Sequence, residues 1–145
     1  MKQTLLITTA LIITALILVV GCSSDKETPS SQAREPIDGS TLVWKDGLYY
    51  APDSDKLYSG ESVWYYEDGQ KKSEITYKNG KQDGLYTAWY ENGQQASEVT
   101  YKDGKWDGKW TLWYENGQKS GEATYKDGKR IEESFTYWDR DGNKK

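Results

Sequence analysis

A 24-residue period runs through most of this chain, and a period of that length calls for a stack of small, like-folded units. Gly60 to Asp83, Gly84 to Asp107 and Gly108 to Glu132 align on one another. The first half of each unit reads WYYEDGQ (64–70), AWYENGQ (88–94) and LWYENGQ (112–118). The second half reads SEITYKNGK (73–81), SEVTYKDGK (97–105) and GEATYKDGK (121–129). Each unit therefore holds two short runs of aromatic and β-branched residues, the composition that suits a half-buried strand.

The punctuation between the runs fixes the topology. Asp68-Gly69, Asn79-Gly80, Asn92-Gly93, Asp103-Gly104, Asn116-Gly117 and Asp127-Gly128 alternate at spacings of 11 and 13. Such pairs favour two-residue type I′ hairpins, because glycine takes positive φ freely and Asn or Asp tolerates it. The expectation is an all-β, elongated antiparallel meander of about eight strands. Leu42 to Tyr50 reads as a degenerate leading hairpin and Ser134 to Asp141 as a closing cap, since the end units of repeat arrays are usually atypical.

The segments before the repeats are of another kind. Met1 to Thr4 carries one positive charge, and Leu5 to Val20 is uncharged and apolar, the order of an export signal. Val19-Val20-Gly21-Cys22 then resembles the lipobox of bacterial lipoproteins, which implies lipid transfer to Cys22, cleavage before it and a membrane anchor of several acyl chains. Ser23 follows the cysteine, and by the same resemblance a residue other than Asp there permits transport to an outer membrane, where the cell has one. Residues 22–40 are rich in Ser, Pro and charge and are expected to form a disordered tether. The organisation expected is thus signal 1–21, lipidated tether 22–40 and repeat domain 41–145.

Composition removes most chemistry. With no His and a single Cys, imidazole catalysis, disulfides and zinc sites built on these ligands are ruled out. A net charge of −4, falling to −5 once Lys2 leaves with the signal, argues against nucleic acid. No calcium loop, nucleophile motif or tuned carboxylate pair stands out, so neither enzyme activity nor a cofactor is expected. What remains is contact through aromatic rings: the 12 Tyr, 7 Trp and one Phe all lie at or after Trp44.

If every turn has two residues, the strand period of two sorts these rings onto faces. Ile75, Tyr77, Tyr86, Ala88, Tyr90, Val99, Tyr101, Trp110, Leu112, Tyr114, Ala123 and Tyr125 fall on a core face. Opposite lie polar rows, including Glu74, Glu98 and Glu122, interrupted at one repeat position by Tyr65, Trp89 and Trp113, with Tyr137 one period further on. That aromatic stripe is the candidate partner-binding site, although cross-strand rings can equally serve to stiffen a thin sheet.

The repeat motif, with Tyr66, Asp68, Gly69, Gln70, Tyr77, Gly80 and Lys81 and their equivalents one and two periods later, resembles the variant MORN repeat of bacterial proteins. WKDGLYY and TYKNGKQDG further resemble the YwqK-type antitoxin family, which implies neutralisation of a toxin by binding. The expected protein is therefore a membrane-anchored lipoprotein of the cell envelope that binds a protein partner, a toxin or an envelope component. The alternative is a structural or adhesive envelope protein that holds glycan or cell wall on its aromatic face.

Overall fold

A computed structural model describes residues 35–145; the expected signal, Cys22 and the expected tether up to residue 34 lie outside the described residues. The elements in chain order are β1 (Ile37–Asp38), a 3-10 turn (Gly39–Thr41), β2 (Val43–Lys45), β3 (Leu48–Tyr50), β4 (Gly60–Tyr65), β5 (Lys71–Lys78), β6 (Lys81–Trp89), β7 (Gln95–Lys102), β8 (Lys105–Trp113), β9 (Lys119–Lys126), β10 (Lys129–Arg130) and β11 (Thr136–Tyr137). Strands β4 to β9 form the expected antiparallel meander, with β1 and β10 at its ends and β11 also on β9, while β2 and β3 make a separate hairpin. The short end strands blunt the two open edges of the sheet, which would otherwise template pairing with other chains.

The sheet begins earlier than residue 41. Ile37 and Asp38 pair in parallel with Ser62 and Val63, and Gly39 is buried against the Trp64 ring. The last residues of the stretch expected as tether are thus part of the domain. Glycine is required at position 39 because the indole occupies the space a side chain would need.

The six hairpin turns are of two kinds. At Asn79-Gly80, Asp103-Gly104 and Asp127-Gly128 both residues have positive φ, with Lys78 opposite Lys81 and Lys102 opposite Lys105, as a two-residue turn requires. At the other three only glycine does: Gly69, Gly93 and Gly117 have φ of 85°, 79° and 81°. There the loop has three residues. Tyr90 N–H donates to Gln94 O at 2.8 Å and Gly93 N–H to Tyr90 O at 2.9 Å, so Glu91 does not oppose Gln94 as expected.

This correction leaves the faces where the sequence reading put them. Beyond the loop Trp89 pairs with Gln95, but Ala88 already pairs with Ser97, so Ala96 is an extra residue, a β-bulge. Loop and bulge each shift the register by one residue, in opposite senses, and the shifts cancel. Between β5 and β6 the register moves by two, from Tyr77↔Gln82 to Ile75↔Tyr86, which also preserves the faces. Gly84, at φ 135°, sits in that step, where an added Cβ would lie 3.1 Å from the Thr76 Cβ.

The core face accordingly holds the buried apolar residues Ile75, Tyr77, Val99 and Ala123. It is joined by the buried Ser73 and Ser62. The opposite face is less solvated than expected. Thr87 pairs with both Glu74 and Glu98, Thr111 with both Glu98 and Glu122, and both threonines are buried among these longer side chains.

Candidate binding surfaces

One layer of sheet cannot cover its own core face, and how far that face is covered differs from repeat to repeat. In the first repeat the Tyr77 ring is buried at 3% exposure, with the Tyr49 ring of the leading hairpin 4.8 Å away and Tyr58 meeting it edge-on at 5.8 Å. That burial pushes the Tyr77 hydroxyl up to about 12. One and two periods later the equivalent Tyr101 and Tyr125 are only half-buried.

Around these two residues the rings gather into one patch. Trp106 meets Tyr125 edge-on at 4.8 Å and Tyr101 at 6.4 Å, and lies nearly parallel to Trp110, 6.0 Å apart with 19° between planes. Tyr86 meets Tyr101 edge-on at 6.3 Å. All five rings are half-buried, so their edges and faces are shared between the sheet and the solvent. Trp106 was not assigned a role from sequence. Its equivalents at the 24-residue spacing are Tyr58, Gln82 and Arg130, so a ring stands at this position in alternate units, and that alternation is the signal in the sequence.

The stripe expected on the other face is present in part. Tyr65 and Tyr137 are exposed, while Trp89 and Trp113 are half-buried. Tyr65 pairs with Lys71, Trp89 with Gln95 and Trp113 with Lys119, so aromatic and polar side chains alternate across the strands. Lys71 Nζ sits over the Trp89 ring, 5.2 Å from its centre, which occupies that face with a cation.

Tyr137 does not hold the fourth repeat position; Trp138 does. Tyr137 pairs with Gly121, where a strict period would put Thr136, so one extra residue has entered the chain between β10 and β11. The hydrogen bonds agree. Tyr66 and Tyr90 donate their hydroxyls to the carbonyls of Trp89 and Trp113, 23 residues on, whereas Tyr114 donates to that of Trp138, 24 residues on. Lys119 stands over the Trp138 ring just as Lys71 stands over Trp89.

Two of the three glutamates of the repeated row pair with lysines within the sheet, while Glu98 accepts from Gln95 Nε2. Glu74 pairs with Lys71 at 2.6 Å, and Glu122 with Lys119 and Lys109 at 2.9 and 3.1 Å. The hydrogen bond from Lys119, then that from Lys109, holds the Glu122 carboxyl below its usual range. Lys126 does the same for Asp107. Among the described residues no cluster of acidic, His or Cys side chains could hold a metal ion.

Repeat joins repeat along both edges, through the tyrosine hydroxyls on one side and the turns on the other, where Gly80, Gly104 and Gly128 N–H donate at 2.8 Å to the carbonyls of Tyr58, Gln82 and Trp106. The profile of the MORN repeat variant family matches residues 58–79, 82–103 and 106–127. Three consecutive stretches of the chain thus match the MORN repeat variant. Each matched stretch contains one loop of three residues and ends at a tight turn, so the structural MORN unit is a hairpin plus its link to the next. No curated protein and no solved structure matches the chain.

Proposed function

We propose that this is a membrane-anchored, non-enzymatic binding lipoprotein that engages a partner protein through the open aromatic face of its second and third repeats. The observation that carries the reading is the contrast between Tyr77, covered by the chain's own leading hairpin, and Tyr101 and Tyr125, which nothing in the domain covers to the same degree. Contiguous half-exposed rings of Trp and Tyr are the side chains that concentrate binding energy in protein interfaces. MORN repeats generally serve as binding modules. The resemblance to YwqK-type antitoxins supports a toxin as partner, which would make the protein an antitoxin or immunity protein held at the envelope by a lipid on Cys22.

This reading favours the core face over the Tyr65, Trp89 and Trp113 stripe, because the latter's rings are separated by Lys71, Gln95 and Lys119. The test compares Trp106→Ser with the double variant Trp89→Ser, Trp113→Ser for capture of the protein that the unaltered chain retains from an extract of its own cells. Loss with Trp106→Ser alone supports the proposal; loss with the stripe variant alone transfers the site to the other face. Binding of both variants to purified envelope polysaccharide, with no protein captured, would favour the adhesive alternative.

A further inference from the structure

The leading hairpin reaches the first repeat by a mode of contact whose acceptor parts recur in the next two. Tyr49 does two things at once: its ring lies 4.8 Å from that of Tyr77, and its N–H donates to the Gly80 carbonyl at 2.8 Å. Leu48 and Leu57 flank the glycine, the Leu48 Cβ 3.3 Å from where a Gly80 side chain would begin. Ring, turn carbonyl and glycine floor form one docking site.

Twenty-four and 48 residues later, Tyr101 with Gly104 and Tyr125 with Gly128 supply the same ring and the same carbonyl. The turns are set alike, since all three glycines have φ between 76° and 82° and each donates its N–H at 2.8 Å to the preceding repeat. Among the described residues, however, no backbone N–H donates to the carbonyl of Gly104 or Gly128. The flanking side chains also differ. Lys81 lies beside Gly104 and Lys105 beside Gly128, where leucines lie beside Gly80, and neither lysine is in an ion pair among the described residues.

Resting on the partner-binding reading above, we propose that repeats 2 and 3 receive an extended partner segment that docks as Tyr49 does. It places an aromatic ring against Tyr101 or Tyr125, gives its N–H to the Gly104 or Gly128 carbonyl, and sets an acidic residue beside the ring against Lys81 or Lys105. A backbone bond to a turn and a ring in a pocket divide the work as in other strand-like peptide recognition, where the main chain holds and the side chains select. The lysines supply the selection, because an isolated cation facing an aliphatic neighbour gains nothing while one facing a carboxylate does.

The chain itself provides the probe: a fluorescent, backbone-cyclised peptide of residues 42–58 carrying Leu48→Glu, titrated by anisotropy into the full chain in detergent. Saturable binding is expected, weakened about tenfold when the Tyr49 nitrogen is methylated, the loss of one well-made hydrogen bond. It should be lost with Tyr49→Ala, and a Lys81→Glu, Lys105→Glu protein should prefer a Leu48→Lys peptide instead. Unchanged affinity on methylation, or on charge reversal, overturns the proposal. Methylation and Tyr49→Ala leave the protein untouched, and a thermal melt of the charge-reversed protein shows whether it has folded before its preference is read. If no peptide binds while Trp106→Ser still abolishes capture of the partner protein, this inference falls and the binding reading stands; if Trp106→Ser captures normally, the binding reading itself falls.

Discussion

The Tyr90 hydroxyl donates to the Trp113 carbonyl at 2.7 Å across a full repeat, and Tyr66 and Trp89 stand in the same relation one period earlier. The bond ties the end of one hairpin to the end of the next at a point where Trp113 leaves the sheet ladder. Tyr90→Phe keeps the ring and removes the bond, and should cost about 1 kcal/mol. A thermal melt is expected to fall by several degrees; an unchanged melt would show that water replaces the tie without loss.

Gly93 tests the three-residue loop. An added side chain there would have only Gln70 Oε1 within 4 Å, at 3.8 Å, so the penalty of Gly93→Val is almost purely that of φ +79° on a β-branched residue. Strain of this kind costs about 1 to 3 kcal/mol. Gly93→Asn should cost less, since Asn tolerates the left-handed region, and equal melts for the two variants would contradict the loop described.

Burial of Tyr77 carries a consequence at high pH. Its hydroxyl titrates near 10 in the unfolded chain and at about 12 in the folded one, so the unfolded state releases its proton first. The associated stability is whole below pH 10 and is lost as the pH rises towards 12. Denaturant midpoints measured across that window should fall, and Tyr77→Phe should flatten the fall.

At low pH the sign reverses for Glu122. The hydrogen bonds from Lys119 and Lys109 depress its folded value, so its contribution is present above about 4.5 and disappears as the pH drops through the folded value. Lys119→Met should make the acid limb of the stability profile shallower. Because the pair is partly exposed, added salt should weaken the effect.

Much of the fold is legible from the turn pairs alone, because Asn-Gly and Asp-Gly at alternating spacings dictate hairpins whatever lies between them. Turn length is less so. Asn79-Gly80 and Asn92-Gly93 are the same dipeptide, yet the first makes a two-residue turn and the second ends a three-residue loop. The difference lies in the flanking strands, whose bulge at Ala96 restores the pairing the loop disturbs. Within the repeats the face assignment therefore holds although half of the turns behind it do not; beyond them it fails for Tyr137, which pairs with Gly121 as Leu112 pairs with Ser97 one period earlier.

The site is harder to read, for a related reason. Sequence periodicity places Tyr101 and Tyr125 beside Tyr77 as core residues, and their backbone positions are indeed equivalent. What differs is coverage, which comes from Tyr49, a residue outside the repeats and joined to them by the irregular stretch 51–59. The same blindness explains Tyr137: a period extrapolated through the residues after β10 misses the single insertion that gives Trp138 the repeat position.

The hydrogen bonds that pass from one repeat to the next join like position to like position, from Gly104 to Gln82 and again from Gly128 to Trp106. Duplicating the 24 residues from Gly84 to Asp107 would reproduce every such bond and alter neither end cap. Length is then an independent variable of this molecule: a recombination event in the gene can extend the array by whole hairpins, adding strands and aromatic surface together, while leaving the sequence of every existing contact untouched.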